Sequence, residues 1–237
     1  MQSYATVNIP QVMREKIQRV LSMDEAEGAE AIEKTFKKKV ELAGRPAKSL
    51  FRIIEGEPNH VAAVVSRYAD LVIAGQPNHS HDNLSRVDPG EVVAVSGRPV
   101  FVVPQNFRPK GCTEHAVLAW NGSREAGRAL SDAAMILGAE SRVTVVTFSN
   151  GDNLPEGYGF DICTHLNYRG IETQRYKVRP NPMYSDRGMD LVDFADTEGA
   201  DLIIMGAYSS SRVRQRLFGG ATHTVLKSMR TPVFLSH

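Results

Sequence analysis

Short apolar runs closed by glycine or proline alternate along this chain with longer stretches whose apolar residues recur every three or four positions. The clearest runs are Leu202 to Met205, stopped by Gly206, and Val233 to Leu235, which follows Thr231-Pro232. An apolar run bounded by turn signals fits a strand buried on both faces, as in a parallel sheet. Between the two runs lie a polar, Arg-rich loop, the glycine-rich entry Gly219-Gly220-Ala221-Thr222, and a helical pattern at Thr222, Val225, Leu226 and Met229. Strand, loop, glycine-opened helix and strand make a βαβ unit. Its loop leaves the carboxyl end of the first strand, where open α/β sheets bind ligands, and glycine there lets backbone N–H groups approach an anion.

The same pattern occurs twice. Ala69-Asp70-Leu71-Val72-Ile73-Ala74-Gly75 matches Ala200-Asp201-Leu202-Ile203-Ile204-Met205-Gly206 at an offset of 131 residues, and Arg98-Pro99-Val100-Phe101 matches Thr231-Pro232-Val233-Phe234 at an offset of 133. Two matches in one order at nearly equal offsets indicate two copies of one α/β unit. The first copy takes residues 1–104, a linker 105–111, and the second copy 112–237.

In the first copy the spacing predicts a helix over Val12 to Ala43 ended by Gly44, a strand over Ser49 to Ile54, a helix over Pro58 to Tyr68 and a strand over Asp70 to Ala74. A polar loop follows, then a helix over Pro89 to Gly97 and a strand over Pro99 to Val103. The second copy reads as strand His115 to Trp120, helix Ser123 to Leu137, strand Val143 to Phe148, helix Phe160 to Tyr168, strand Ile171 to Val178 and helix Asp186 to Glu198, before the βαβ unit already described. The first copy has no counterpart of the strand, helix and strand at His115 to Phe148. A shortened first copy is the expectation; a second chain filling the gap is the alternative.

The carboxyl-terminal stretch resembles the signature of the universal stress protein family, whose nucleotide binders carry Gly, two residues, Gly, nine residues, Gly and then Ser or Thr. Gly206 and Gly219 fit this frame. Ser209 stands in place of the second glycine and Gly220 in place of the hydroxyl residue, with Thr222 close by. The resemblance implies an α/β fold of two tandem adenine-nucleotide-hydrolase-like units, parallel sheets flanked by helices, the first unit incomplete. It also implies a site in the second unit. Ala119, Trp120 and Asn121 at the end of one strand, with the loop of Gly206 and Ser209, would flank a base and ribose, while Gly219, Gly220, Ala221 and Thr222 would hold phosphates. The implied ligand is ATP with Mg²⁺; Asn121 stands where the family's nucleotide binders carry Asp. The blander account of Gly219-Gly220 is close helix–sheet packing.

The remaining candidates are weaker. The first copy's loop after Gly75 lacks the glycine pattern, and Pro89 removes one N–H donor from the helix that follows. Arg212, Arg214 and Arg216 suit a phosphate or a solvated loop; His79, His81 and Asp82 suit a flexible surface better than a metal. Ser209 to Ser211, His223 and Asp201 supply the residue types of a nucleophilic triad, without a strained Gly-x-Ser-x-Gly elbow, and no Walker-type Gly-Lys-Ser/Thr is present.

Composition narrows the class further. A net charge of +1 gives no bulk reason to expect nucleic acid or an acidic membrane surface. Two cysteines make no disulfide framework, which with the absence of a signal-like start points to the cytoplasm. Three readings follow: a stress-response binding module holding a nucleotide in the second unit, a nucleotide-independent protein that dimerises through Val233 to Leu235, and a slow ATP hydrolase. A homodimer and protein partners, with neither nucleic acid nor membrane, are the expected associations.

Overall fold

The strands join in one seven-stranded sheet. The computed structural model describes residues 28–44, 48–77, 87–105, 107–108, 113–138, 140–148, 161–184, 186–208 and 220–237, in two compact units, 1–55 and 56–237.

In the first unit residues 28–42 form helix α1. Thr35 donates to the Ala31 carbonyl at 2.9 Å, Lys37 pairs with Glu33 one turn back, and the Phe36 ring lies 5.6 Å from that of Phe51. The part of the expected helix before residue 28 lies outside the described residues. The expected strand at Ser49 to Ile54 is not formed, and Leu50, Ile53 and Ile54 are exposed. The physical reason is that a strand exists only against a neighbour, and an unpaired ladder leaves its N–H and C=O groups to water.

The second unit runs α2 (Pro58–Ser66), β1 (Val72–Gly75), α3 (Pro89–Ser96), β2 (Val100–Val103), β3 (His115–Ala119), α4 (Arg124–Ala133), β4 (Arg142–Phe148), α5 (Ile162–Tyr168), β5 (Glu172–Val178), α6 (Arg187–Thr197), β6 (Leu202–Gly206), α7 (Ala221–Ser228) and β7 (Val233–Ser236). Strand order is β1-β2-β7-β6-β3-β4-β5, and every pairing is parallel except that of β2 with β7. The alternation of the strands divides the core in two. Val117, Ile203, Met205, Val233 and Leu235 face α3, α6 and α7. Ala116, Leu118, Leu202, Ile204 and Phe234 face α4 and α5. This is the α/β architecture the apolar runs predict, a sheet covered on both faces.

The β2–β7 junction corrects one expectation. Val233 to Leu235 is not a free edge awaiting another subunit, because its antiparallel partner is β2 of the same chain. The pairing joins the two sequence repeats with twofold symmetry. Phe101 lies opposite Phe234, its own counterpart in the repeat, while Val100 faces Leu235 and Val102 faces Val233. Residue i meeting j while j meets i is the mark of an isologous contact, here closed within one polypeptide. Phe234 and Leu235 are wholly buried there.

Candidate functional site

At the carboxyl ends of β3 and β6, which lie side by side with Ala119 opposite Met205, the chain turns into helices α4 and α7. Trp120 continues the ladder by donating its N–H to the Val146 carbonyl at 2.8 Å. The Asn121 side-chain oxygen then accepts from the Ser123 N–H at 3.1 Å, Gly122 takes φ 69°, and Ser123 caps α4 by accepting from the Ala126 N–H at 3.1 Å. An Asx turn followed by a serine N-cap is the local reason the strand reverses into a helix here. Gly206 receives the first turn of α4: a Cβ on it would lie 2.5 Å from the Glu125 carbonyl carbon and 2.6 Å from the Ala126 nitrogen. Its lack of a side chain therefore serves the seating of α4 on the sheet.

The path from β6 into α7 is described at its two ends. Tyr208 adopts φ 55° and donates its N–H to the hydroxyl of Thr222, which is buried. The Tyr208 hydroxyl packs against Gly90 at the start of α3. Burial, with Asp88 and Glu91 beside it, pushes the Tyr208 phenol up to about 12. Gly220 precedes α7 with φ 140°, a conformation open to glycine, and no side chain caps this helix. The other described capped starts use Glu57, Asp88, Ser123, Asp161 and Asp186. Gly220 itself therefore offers the first turn of α7 no side-chain oxygen, and the partial positive charge of a helix start lies there.

Asp186 ties α6 to α7. One of its carboxylate oxygens accepts from the Gly188 N–H at 2.7 Å and the other from the Thr224 hydroxyl at 2.6 Å. The two helices touch so closely that a Cβ on Gly188 would lie 2.7 Å from the Ala221 carbonyl oxygen. Beside this joint is an open cleft of about 430 Å³ lined by Pro180, Asn181, Tyr184, Asp186, Arg187, Asp190 and Ala221. Asp190 is buried and accepts the Asn181 N–H at 2.9 Å, and the Arg187 guanidinium stands 5.5 Å over the Phe148 ring.

Of the residues predicted for the site, Ala119, Trp120, Asn121, Gly206, Gly220, Ala221 and Thr222 thus fall at the carboxyl side of the sheet. Ser209 and Gly219 lie outside the described residues, as do Arg212, Arg214, Arg216, His79, His81 and Asp82. Ala221 alone among them lines the cleft. Sequence reading missed Asp186, Tyr184, Arg187 and Tyr208. Asp186, two residues before Gly188 and ahead of the apolar Leu191, Val192 and Ala195, carried a readable N-cap signal; the others are single residues with no spacing to mark them.

The triad is dissolved by the topology. Asp201 stands before β6 and His223 after it, so a five-residue strand of about 16 Å separates their ends. The Asp201 carboxylate is engaged by the N–H groups of Glu114 and His115 at 2.9 and 3.2 Å. His115, at that same amino end, is buried and shares a 2.8 Å hydrogen bond between Nε2 and the Thr144 hydroxyl. Burial first, then the nearby Arg142 charge, lowers its pKa against the opposing pull of Asp201 and Glu198. Among the described residues no three His, Cys, Asp or Glu gather to hold a metal, and no helix is long and apolar enough to cross a membrane.

Comparison with known proteins agrees with this fold. Residues 185–237 match the model of the universal stress protein family. A universal stress protein from Archaeoglobus fulgidus has a similar structure, with a TM-score of 0.69 at 19% identity over 90% of this chain and 78% of that one. A functionally unknown protein from Pseudomonas aeruginosa follows, with a TM-score of 0.53 at 13% identity over 87% and 77% of the two chains. A universal stress protein solved in complex with cAMP covers 54% of this chain at 25% identity, with a TM-score of 0.41 over 98% of its own length. No curated protein sequence matches.

Proposed function

We propose that this chain, similar in fold to a universal stress protein and matched by that family's model over residues 185–237, is a binding module that holds an adenine nucleotide where β3 and β6 end. The observation that carries the reading is the start of α7. Gly220 opens the helix with no side-chain cap among the described residues, beside the carboxyl ends of two central parallel strands. Anionic oxygens complement such a start, and the crevice beyond the strand ends is where open α/β sheets place their ligands.

The surroundings temper the affinity. The Asp186 carboxylate is bonded to Thr224 in the first turn of α7 and places negative charge close to where phosphates would approach. Asn121 offers an amide already engaged with the Ser123 N–H, a poor ligand for Mg²⁺. The metal would therefore arrive with the nucleotide's own phosphates, and weak binding without turnover is the chemistry these groups support. Asp201, the carboxylate weighed for a triad, lies at the opposite end of β6.

Equilibrium dialysis with Mg-ATP tests the reading, comparing the chain with Ala221→Asp. A carboxylate at the first position of α7 suits the helix dipole and leaves the fold intact, yet repels phosphate. Saturable binding lost in that variant supports the site; equal binding by both places the nucleotide elsewhere, and no binding by either rejects the module.

A further inference from the structure

The twofold symmetry of the β2–β7 junction relates β1 to β6, and the two strands differ in one respect. On its far side β6 carries β3, with Ala116 opposite Leu202, Val117 opposite Ile203, Leu118 opposite Ile204 and Ala119 opposite Met205. On its far side β1 pairs with no strand among the described residues, where it ends the sheet.

Four observations show that this edge is built to be covered. The first is a pair of glycines. Gly206 closes β6 and has no room for a Cβ, since the backbone of α4 lies 2.5 Å from where one would be. Gly75, its counterpart in the repeat, has nothing within 4 Å and no left-handed backbone to require glycine. The second is a pair of isoleucines: Ile204 is 0% exposed under α4, and Ile73, the equivalent residue on the equivalent face, is 71% exposed. The third is the ladder. Val72 and Gln76 give their N–H groups to Pro99 and Val103 of the β2 side, so by the alternation of a strand Ile73 and Gly75 direct theirs outward.

The fourth is the contrast between the two ends of the sheet. The outer strand β5 carries Glu172, Arg175 and Lys177, charges of the kind that keep a sheet edge from pairing. Strand β1, with Val72, Ile73, Ala74 and Gly75, has no charge, no proline and no bulge. An edge of that composition is a template for another strand.

We infer that the edge of β1 is a docking site for a strand–helix segment of a partner polypeptide, of the chemistry of β3 and α4. Its strand is apolar and pairs in parallel with β1; its helix begins with a tight capped turn seated on Gly75 and covers Ile73 with small side chains. The turn Asn121-Gly122-Ser123 and the alanines Ala126, Ala129 and Ala133 are the features that let α4 do this on β6. The inference is independent of whether a nucleotide binds.

The test uses the full chain co-expressed with a probe, the segment of residues 112–149 of this same sequence on a soluble fusion partner. The expected result is a one-to-one complex in which the Ile73 and Gly75 amides exchange with solvent at least tenfold more slowly than in the chain alone. Gly75→Val should leave the melting temperature of the lone chain within about 2 °C and abolish capture, because its side chain meets open space until the helix arrives. Ile73→Lys, at an exposed position, should do the same and serves if the valine variant folds poorly. Absence of a complex overturns the inference, as does a complex in which those two amides stay fast and Gly75→Val has no effect. Slow exchange at Ile73 and Gly75 in a dimer of the chain alone also overturns it, since a second copy would then be the occupant.

Discussion

Glycine at the end of β6 and histidine at the start of β3 show how much a single position can carry. Gly206→Val drives a side chain into the backbone of α4 at 2.5 Å, a clash the surrounding core cannot absorb without moving the helix, and overpacking of that kind costs about 1–3 kcal/mol or more. A fall in denaturation midpoint for Gly206→Val, beside an unchanged one for Gly75→Val, is the expected outcome by urea titration. His115 sets an acid limit. Its folded-state pKa is held below the ordinary 6.5 by burial, so above pH 6.5 the imidazole is neutral in both states and its contribution is whole. As pH falls from 6.5 towards the lowered value, the unfolded chain takes up a proton that the folded chain refuses, and stability declines. Urea midpoints measured from pH 8 to pH 5 should fall through that window, and His115→Gln should flatten the fall.

Elements are where the sequence was most legible and where its silence was most specific. Leu202 to Met205, Val233 to Leu235 and His115 to Trp120 are apolar on both faces, and all became strands within a residue or so of the predicted limits. Ser49 to Ile54 looks equally strand-like and forms none, because strand character needs a neighbour and composition does not supply one. The antiparallel β2–β7 junction was hidden for a related reason. The run Val233 to Leu235 has the same residues whether its partner lies within the chain or across a subunit boundary; only the pairing of Phe101 with Phe234 decides. Phe234→Ala should cost about 3–5 kcal/mol as a buried aromatic truncated at that junction, read as loss of cooperative unfolding or a large drop in midpoint. The joint between α6 and α7 rests on Asp186, so Asp186→Ala should cost about 1–2 kcal/mol through the lost cap and the bond to Thr224. The end of β6 and the start of α7 were legible through Gly206 and Gly220, whereas the contacts of Tyr208 with Gly90 and Thr222 follow from no spacing rule.

At the largest scale, residues 56–237 set the two copies of the strand pattern in one sheet about a twofold axis, one side carrying β6 and β3 and the other ending, among the described residues, at β1. The candidate site belongs to the completed side, at the carboxyl ends of its parallel strands. A ligand that binds only the folded chain must stabilise it, by about 2.7 kcal/mol at a hundred times its dissociation constant. For a chain of this size each kcal/mol moves the melting temperature by roughly 2–4 °C. Thermal unfolding with and without saturating Mg-ATP is therefore the most direct measurement. The binding-module account predicts a rise of at least about 5 °C that disappears in Ala221→Asp; an unchanged melting temperature at millimolar nucleotide would contradict it.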